Sequence, residues 1–341
     1  MIMNCTILIF LAVWSLMKTK NYYLNGDFIT CMNNYTLAVV VTYNRLTMLK
    51  QCISHICAQS AACDILIVDN ASTDDTSKWA LHIIGDFDKY KILYENTGTN
   101  LGGAGGFNYG MRKSCEYGYK YVWIMDDDAF AQPDCLEKLL DTAHCFEAKK
   151  LPFGFLSSAV LWTDGNICKM NWQRKYPLPR KRSEHHVTQK DLNSDLIQVQ
   201  CATFVSLLFP TDIIKQVGLP IKEFFIWCDD IEYTRRISIK YKIPCYAVPS
   251  SRMIHHTANN VGSDLATDSV DRISRYNYAF RNENYMYRQY GVRSFCYYIA
   301  VCIYNLIKIL FHSHDHRLRR MSVVCKNFFT GLTFNPPIEK L

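Results

Sequence analysis

The sequence predicts an α/β fold with a mostly parallel central sheet and a C-terminal helical extension, and three observations predict it. From residue 35 onward, short β-branched runs alternate with segments of helical spacing, the pattern of strands joined by crossover helices. Acidic residues stand where two of these strands end, at Asp69 and Asp126, and ligands of such sheets bind outside the carboxyl ends of the strands. Beyond residue 265 the composition turns aromatic and basic around one long apolar stretch.

Taken in order, residues 37–42 are a β-branched apolar run and form the first strand. Residues 45–59 have helical spacing, with Leu46, Leu49, Ile53 and Ile56 on one stripe. A second strand covers 64–68. It ends in Asp69-Asn70-Ala71-Ser72-Thr73-Asp74, residues that cap helices and tolerate turns. A helix over 76–84, a strand over 91–95, a glycine loop, a helix over 107–117 and a strand over 121–125 complete the series. A later short strand, 248–254, runs into His255-His256. Helices between strands cover both faces of a parallel sheet.

A chain of 341 residues with 49% hydrophobic and 13% aromatic residues buries a substantial core, which excludes a disordered protein. The net charge of +7 is modest and names no partner by itself. Fifteen cysteines are scattered through apolar segments without a C-x-x-C pair. They read as reduced, buried thiols of a cytoplasmic protein, not as disulfides or a zinc site. Residues 1–17 are almost all apolar and precede Lys18 and Lys20; the run is short for a membrane span and lacks the flanks of a signal peptide. It reads as a weak anchor, as an extension lying on the core, or as residues upstream of a start at Met32, the last two fitting better. The expected organisation is a hydrophobic extension over 1–34, a catalytic domain over 35–265 and a helical, membrane-associated region over 266–341.

Trp123-Ile124-Met125-Asp126-Asp127-Asp128-Ala129-Phe130 carries the most chemistry. Three adjacent carboxylates repel one another unless something cationic lies among them. On extended backbone Asp126 and Asp128 share one side and Asp127 takes the other, an arrangement suited to a hard divalent ion carrying nucleotide phosphates. An isolated triplet would equally be a solvated turn; its place at a strand end, level with Asp69, favours a site. The glycine segment Gly102-Gly103-Ala104-Gly105-Gly106 precedes a predicted helix and allows close approach of a diphosphate or sugar, although it has neither P-loop nor dinucleotide spacing. A second acidic group, Asp229-Asp230-Ile231-Glu232, follows Trp227. It reads either as the acidic first turn of a helix or as a general base whose pKa is raised by an apolar neighbour. His255 at a strand end is a candidate third metal ligand, a lone His being otherwise structural.

From residue 35 to residue 256 these motifs, in this order, resemble family 2 inverting glycosyltransferases of the GT-A fold, and within them galactofuranosyltransferases and rhamnosyltransferase-like relatives. The resemblance rests on Val39-Val40-Val41-Thr42-Tyr43-Asn44-Arg45, Val68-Asp69-Asn70-Ala71-Ser72-Thr73-Asp74, the doubled glycines, Met125-Asp126-Asp127-Asp128, Asp229-Asp230-Ile231-Glu232-Tyr233 and His255. It implies that Asp126, Asp128 and His255 bind Mn²⁺ or Mg²⁺ on the donor diphosphate. It also implies that Asp69 accepts the N3–H of uracil or thymine, that Thr42, Arg45, Asp127 and the glycines Gly102, Gly103, Gly105 and Gly106 lie along the donor, and that Asp230, next to Asp229, deprotonates the acceptor. One departure is that Cys228 separates Trp227 from the Asp pair, where galactofuranosyl relatives place Trp directly before it.

The expected partners are a UDP- or dTDP-linked sugar donor, a glycan or lipid-linked glycan acceptor and a membrane surface, with no nucleic acid. The expected enzyme transfers galactofuranose from UDP-galactofuranose at the cytoplasmic face of the cell membrane. Its alternatives are a rhamnosyltransferase using dTDP-rhamnose and, from other classes, a nucleotidyltransferase or a non-catalytic sugar-nucleotide-binding protein.

Overall fold

The computed structural model describes residues 35–87, 89–180 and 182–341; the hydrophobic extension expected at 1–34 lies outside them. The described residues form one compact unit. Its centre is a parallel block of β4 (Lys91–Asn96), β2 (Asp64–Asp69), β1 (Thr36–Thr42) and β5 (Tyr121–Asp126), in that order across the sheet, with the short β3 (Gly85–Asp86) outside β4. Every residue of β1 and β2 is buried. Alternate side chains therefore feed two cores, Ala38, Val40, Ile65 and Ile67 on one face and Leu37, Val39, Leu66 and Val68 on the other. Helix α1 (Leu46–Cys57) buries Leu49, Ile53 and Ile56 as its stripe predicts, adds Cys52, and leaves Leu46 half-buried. Helix α2 (Thr76–Ile83) buries Thr76 and Ala80.

Past β5 the sheet changes character. β10 (Leu207–Pro210) joins β5 antiparallel, and β7 (Leu156–Leu161), β11 (Cys245–His255), β9 (Ile197–Cys201) and the two-residue β8 (Arg174–Lys175) extend the sheet beyond it. β11 is longer than the predicted 248–254. Its pairing with β7 breaks between Val248 and Arg252, across Pro249, which has no N–H to give a ladder. The strand resumes to deliver His255, and β6 (Ala129–Ala131) pairs back onto it, with Ala129 opposite His255.

Helix α3 (Gly102–Glu116) departs most from expectation, starting five residues before the predicted 107 and taking the glycines into its first turns. Close packing explains their size. A Cβ on Gly106 would meet Val41 Cγ1 at 2.4 Å, one on Gly110 would meet Val39 Cγ1 at 2.3 Å, and one on Gly102, at φ +69°, would meet the Phe225 carbonyl oxygen at 2.0 Å. Helix α4 (Cys135–Ala148) packs on β7 and β11, and α5 (Thr211–Val217) packs on α3. Helix α6 (Asp229–Arg235) begins with the second acidic group.

Three longer helices follow the sheet: α7 (Tyr276–Gln289), α8 (Val292–His312) and α9 (Arg317–Thr333). They share an apolar cluster of Ile273, Tyr276, Phe280, Tyr298, Cys302, Ile309 and Val324, with Trp227 packed against it. The end of the chain returns to α3, where Glu339 binds Arg112 at 2.7 Å and Asn108 at 3.1 Å. No disulfide is present among the described residues. Cys52, Cys63, Cys135 and Cys245 are buried free thiols, whereas Cys145, Cys296 and Cys325 are exposed ones.

Candidate active site

The parallel register brings the strand ends level: Thr42 lies opposite Asp69, Asp69 opposite Asn96, and Val41 opposite Asp126. β5 stops at Asp126, so Asp127 and Asp128 occupy a turn and the extended alternation expected for the triplet does not hold. Asp127 turns toward β1 instead of away. It accepts from Thr42 Oγ1 at 2.7 Å and pairs with Arg45 at 3.0 Å, while the same guanidinium holds Asp128 at 2.8 Å. Asp126, Asp128 and His255 converge all the same, with one potential ligand atom from each lying within 4.8 Å of the others.

This group fits a hard divalent cation. Two carboxylates and one imidazole are suitable donors, and the ring is locked in orientation, because His255 Nδ1 sits 2.6 Å from Asn171 Oδ1, which leaves Nε2 facing Asp128 at 3.0 Å. Burial alone would lower the imidazole's pKa, but the hydrogen bond and charge of Asp128 outweigh it and raise His255 to about 10. Asp128, resisted by burial, is nonetheless held below the usual carboxylate range by His255 and Arg45. Burial and the Asp128 charge push Asp126 up to about 7; burial pushes Asp127 up to about 6 against the pull of Arg45. A proton on His255 thus occupies the position a cation would take.

Asp69 is fully buried. One of its oxygens accepts from the Ser72 N–H at 2.8 Å and the other from Tyr94 Oη at 2.8 Å and Asn96 Nδ2 at 3.4 Å. Asn44, at φ +54°, fastens the same loop by accepting from the Thr73 N–H at 2.6 Å. The glycines divide. Gly103 has open space around it and lines the main cavity; Gly105 would clash with Leu101 Cβ at 2.5 Å, and Gly102 and Gly106 face Phe225 and Val41. Three of the four therefore serve helix packing, and only Gly103 faces the space where a ligand would lie.

That cavity, of about 730 Å³, is bounded by the acidic end of β5, by the segment before α6, and by α7 and α8. It contains Asp126, His255, Asp229 and Asp230 together, with Trp227 on its wall; Thr42, Arg45 and Asp69 do not line it. Asp229 and Asp230 form the acidic first turn of α6, and no side chain caps that helix. Burial, then the neighbouring Asp230 charge, raises Asp229 well above the carboxylate range, and Asp126 adds to the shift. Burial raises Asp230 to about 6, opposed by hydrogen bonds from backbone N–H groups, one of them from Ile231 at 2.7 Å. Glu232, the third carboxyl of this group, is engaged in a buried pair with Arg236.

The segment presenting the Asp pair is strained, with Phe225, Trp227 and Cys228 at φ +65°, +67° and +68°. Asn282 on α7, fully buried, holds it there by donating to the carbonyls of Phe224 at 2.9 Å, Ile226 at 3.2 Å and Trp227 at 3.0 Å. Neither Asn282 nor Asn171 stands out in the sequence. An asparagine shows its function only through the backbone or ring that it meets in space.

Residues 37–148 match the family model described as Glycosyl transferase family 2. Galactofuranosyltransferase GlfT1 of Mycolicibacterium smegmatis is 24% identical over 271 residues, covering 75% of this chain and 84% of that protein. The Mycobacterium tuberculosis protein of the same name is 26% identical over 268 residues, covering 77% of this chain and 85% of its own length. The dTDP-rhamnosyl transferase RfbF of Shigella flexneri is 27% identical over 228 residues, covering 66% of this chain and 70% of its own.

Proposed function

We propose that the chain, whose residues 37–148 match the family 2 glycosyltransferase model, is a glycosyltransferase of that family with the GT-A fold, and that it transfers galactofuranose from UDP-galactofuranose, with inversion, to a cell-surface glycan or its lipid-linked precursor. The observation that carries this reading is the single cavity holding two acidic groups, Asp126 with His255 on one side and Asp229 with Asp230 on another. The similarity to two galactofuranosyltransferases along three quarters of the chain favours that sugar.

Mn²⁺ or Mg²⁺ held by Asp126, Asp128 and His255 would supply positive charge for the departing diphosphate. Arg45 and Thr42 fix Asp127 and Asp128 in position for that ligand set. Asp69 accepts the pyrimidine N3–H in place of its Tyr94 and Asn96 donors, which cover the buried carboxylate in the unliganded protein. Asp230 takes the proton of the acceptor hydroxyl, which attacks the anomeric carbon from the face opposite the leaving group. Trp227 and the α7 wall exclude water from the attack. A helix with an exposed apolar face, α8, supports a peripheral position at the inner face of the cell membrane.

The S. flexneri relative supports dTDP-rhamnose as the second donor reading. The test is incubation of the protein with each nucleotide sugar and Mn²⁺, followed by mass spectrometry of nucleotide and glycan products. UDP release with galactofuranosyl transfer is expected. Turnover of dTDP-rhamnose alone would overturn the donor assignment, and release of inorganic diphosphate would indicate nucleotidyl transfer instead.

A further inference from the structure

Glu283 lies on α7 one residue beyond Asn282 and lines the same cavity as Asp229, Asp230 and Trp227. Among the described residues its carboxyl has no hydrogen-bond or ion-pair partner. The basic side chains on this wall are taken elsewhere: Lys308 holds Asp264 at 2.6 Å and Arg272 holds Asp268 at 3.6 Å. The residue keeps some accessible surface, and that surface opens into the cavity. Its carboxyl is enclosed enough that burial alone raises it to about 7. An enclosed carboxyl without a partner opposes folding unless a ligand satisfies it.

The surroundings select the ligand. Trp227, Tyr276 and Phe280 supply flat apolar walls beside the carboxyl, the combination that receives the two faces of a sugar ring: carbon-bound hydrogens against aromatic rings and hydroxyls toward an acceptor oxygen. A carboxylate accepts from hydroxyl donors at two oxygens and has nothing to donate. Glu283 and Asp230 line the same cavity, so a ring bound at Glu283 can present another of its hydroxyls to Asp230.

We propose that Glu283 is the acceptor-recognition residue: its carboxylate binds a hydroxyl of the acceptor sugar other than the one activated at Asp230, and thereby selects the hydroxyl that is glycosylated. This rests on the galactofuranosyl-transfer reading for its reaction but not for its binding step.

The test uses the full chain and octyl β-D-galactofuranoside as the probe acceptor, titrated without donor and followed by tryptophan fluorescence. Glu283→Ala should raise the dissociation constant about tenfold to a hundredfold, the range for a lost hydrogen bond to a charged group, and Glu283→Gln should lie between. In transfer reactions both variants should spread product over more than one linkage position, which a purely structural role would not do. The isosteric Gln variant should keep the wild-type melting temperature, so its loss of affinity is read on folded protein. Wild type binding the glycoside no better than the variants, or an unchanged single linkage in Glu283→Gln, overturns the proposal. Failure of the donor assignment looks different: wild-type turnover confined to dTDP-rhamnose, with the donor-free titration still discriminating wild type from variant.

Discussion

At the scale of single residues, Asp229 and Asp230 are adjacent carboxyls that the fold shifts by different amounts. Burial and the Asp230 charge raise Asp229 well above the carboxylate range, whereas Asp230 is raised by burial only to about 6 and is mostly ionised at neutral pH. Only an ionised carboxylate accepts a proton, so transfer should fall as pH drops through about 6 and level off above it. Asp230→Asn should lower turnover by roughly a hundredfold or more with donor affinity nearly unchanged, while Asp229→Asn, which imitates a neutral carboxyl, should cost little; steady-state rates with a separate donor titration check both. Equal small losses would mean that neither is the base. In the cation group, Asp128→Ala removes a ligand and the shared partner of His255 and Arg45, so UDP affinity in Mn²⁺ should drop sharply and the gain from adding Mn²⁺ should vanish. The convergence of Asp126 and Asp128 with His255 was legible in the sequence because clustered like charges at a strand end have few structural uses. The direction of Asp127 was not, since it depends on where β5 stops.

At the scale of elements, the acidic pair depends on a segment that could not hold its shape alone. Three residues with side chains at positive φ are each unfavourable, and Asn282 offsets this with hydrogen bonds to three carbonyls. Asn282→Ala removes this donor from the partly buried Ile226 and Trp227 carbonyls and leaves Phe224 only the longer bond from Arg281 at 3.4 Å, at about 1–3 kcal/mol for an unsatisfied group. Thermal unfolding should show that loss, and turnover should fall while UDP affinity stays, because the cation group is built from β5 and β11. A variant with full turnover would mean that the segment keeps its form unaided. Up to residue 125 the main helices were legible because each buries one periodic face, and the central strands because they are short unbroken apolar runs buried on both faces. Beyond it the signal weakens: β7, β9 and β10 are short, and their pairing across long stretches of chain leaves no local mark. The glycines mislead for a related reason, because Gly105 and Gly106 look like a ligand loop in sequence and serve α3 against its neighbours in space.

At the scale of the whole molecule, α8 joins the cavity to the outside. Its 18-residue apolar core has a mean hydropathy of 1.7, yet only 17% of it is buried. One side carries Tyr298, Cys302 and Ile309 into the core, and Val301, Asn305 and Lys308 line the cavity. The other exposes Tyr297, Ile303, Tyr304, Ile307 and Phe311, the last at 72%. Leu318 and Phe329 of α9 are also exposed, as are Arg317, Arg319 and Lys326. Arg320 of the same helix is buried against Asp315 and takes no part. Apolar and aromatic side chains with basic ones nearby suit the headgroup region of an anionic bilayer. The protein should therefore float with vesicles containing phosphatidylglycerol, bind phosphatidylcholine vesicles less, and release partly in high salt, each basic residue at the surface contributing about 1 kcal/mol. Tyr304→Glu with Ile307→Glu should abolish flotation without lowering the melting temperature, since both side chains already face outward. If the double variant still floats, α8 is not the contact. If it detaches yet glycosylates a short soluble octyl glycoside at the wild-type rate while losing activity on acceptor embedded in vesicles, then the apolar face serves to bring a lipid-linked acceptor to a cavity walled by the adjacent face of the same helix.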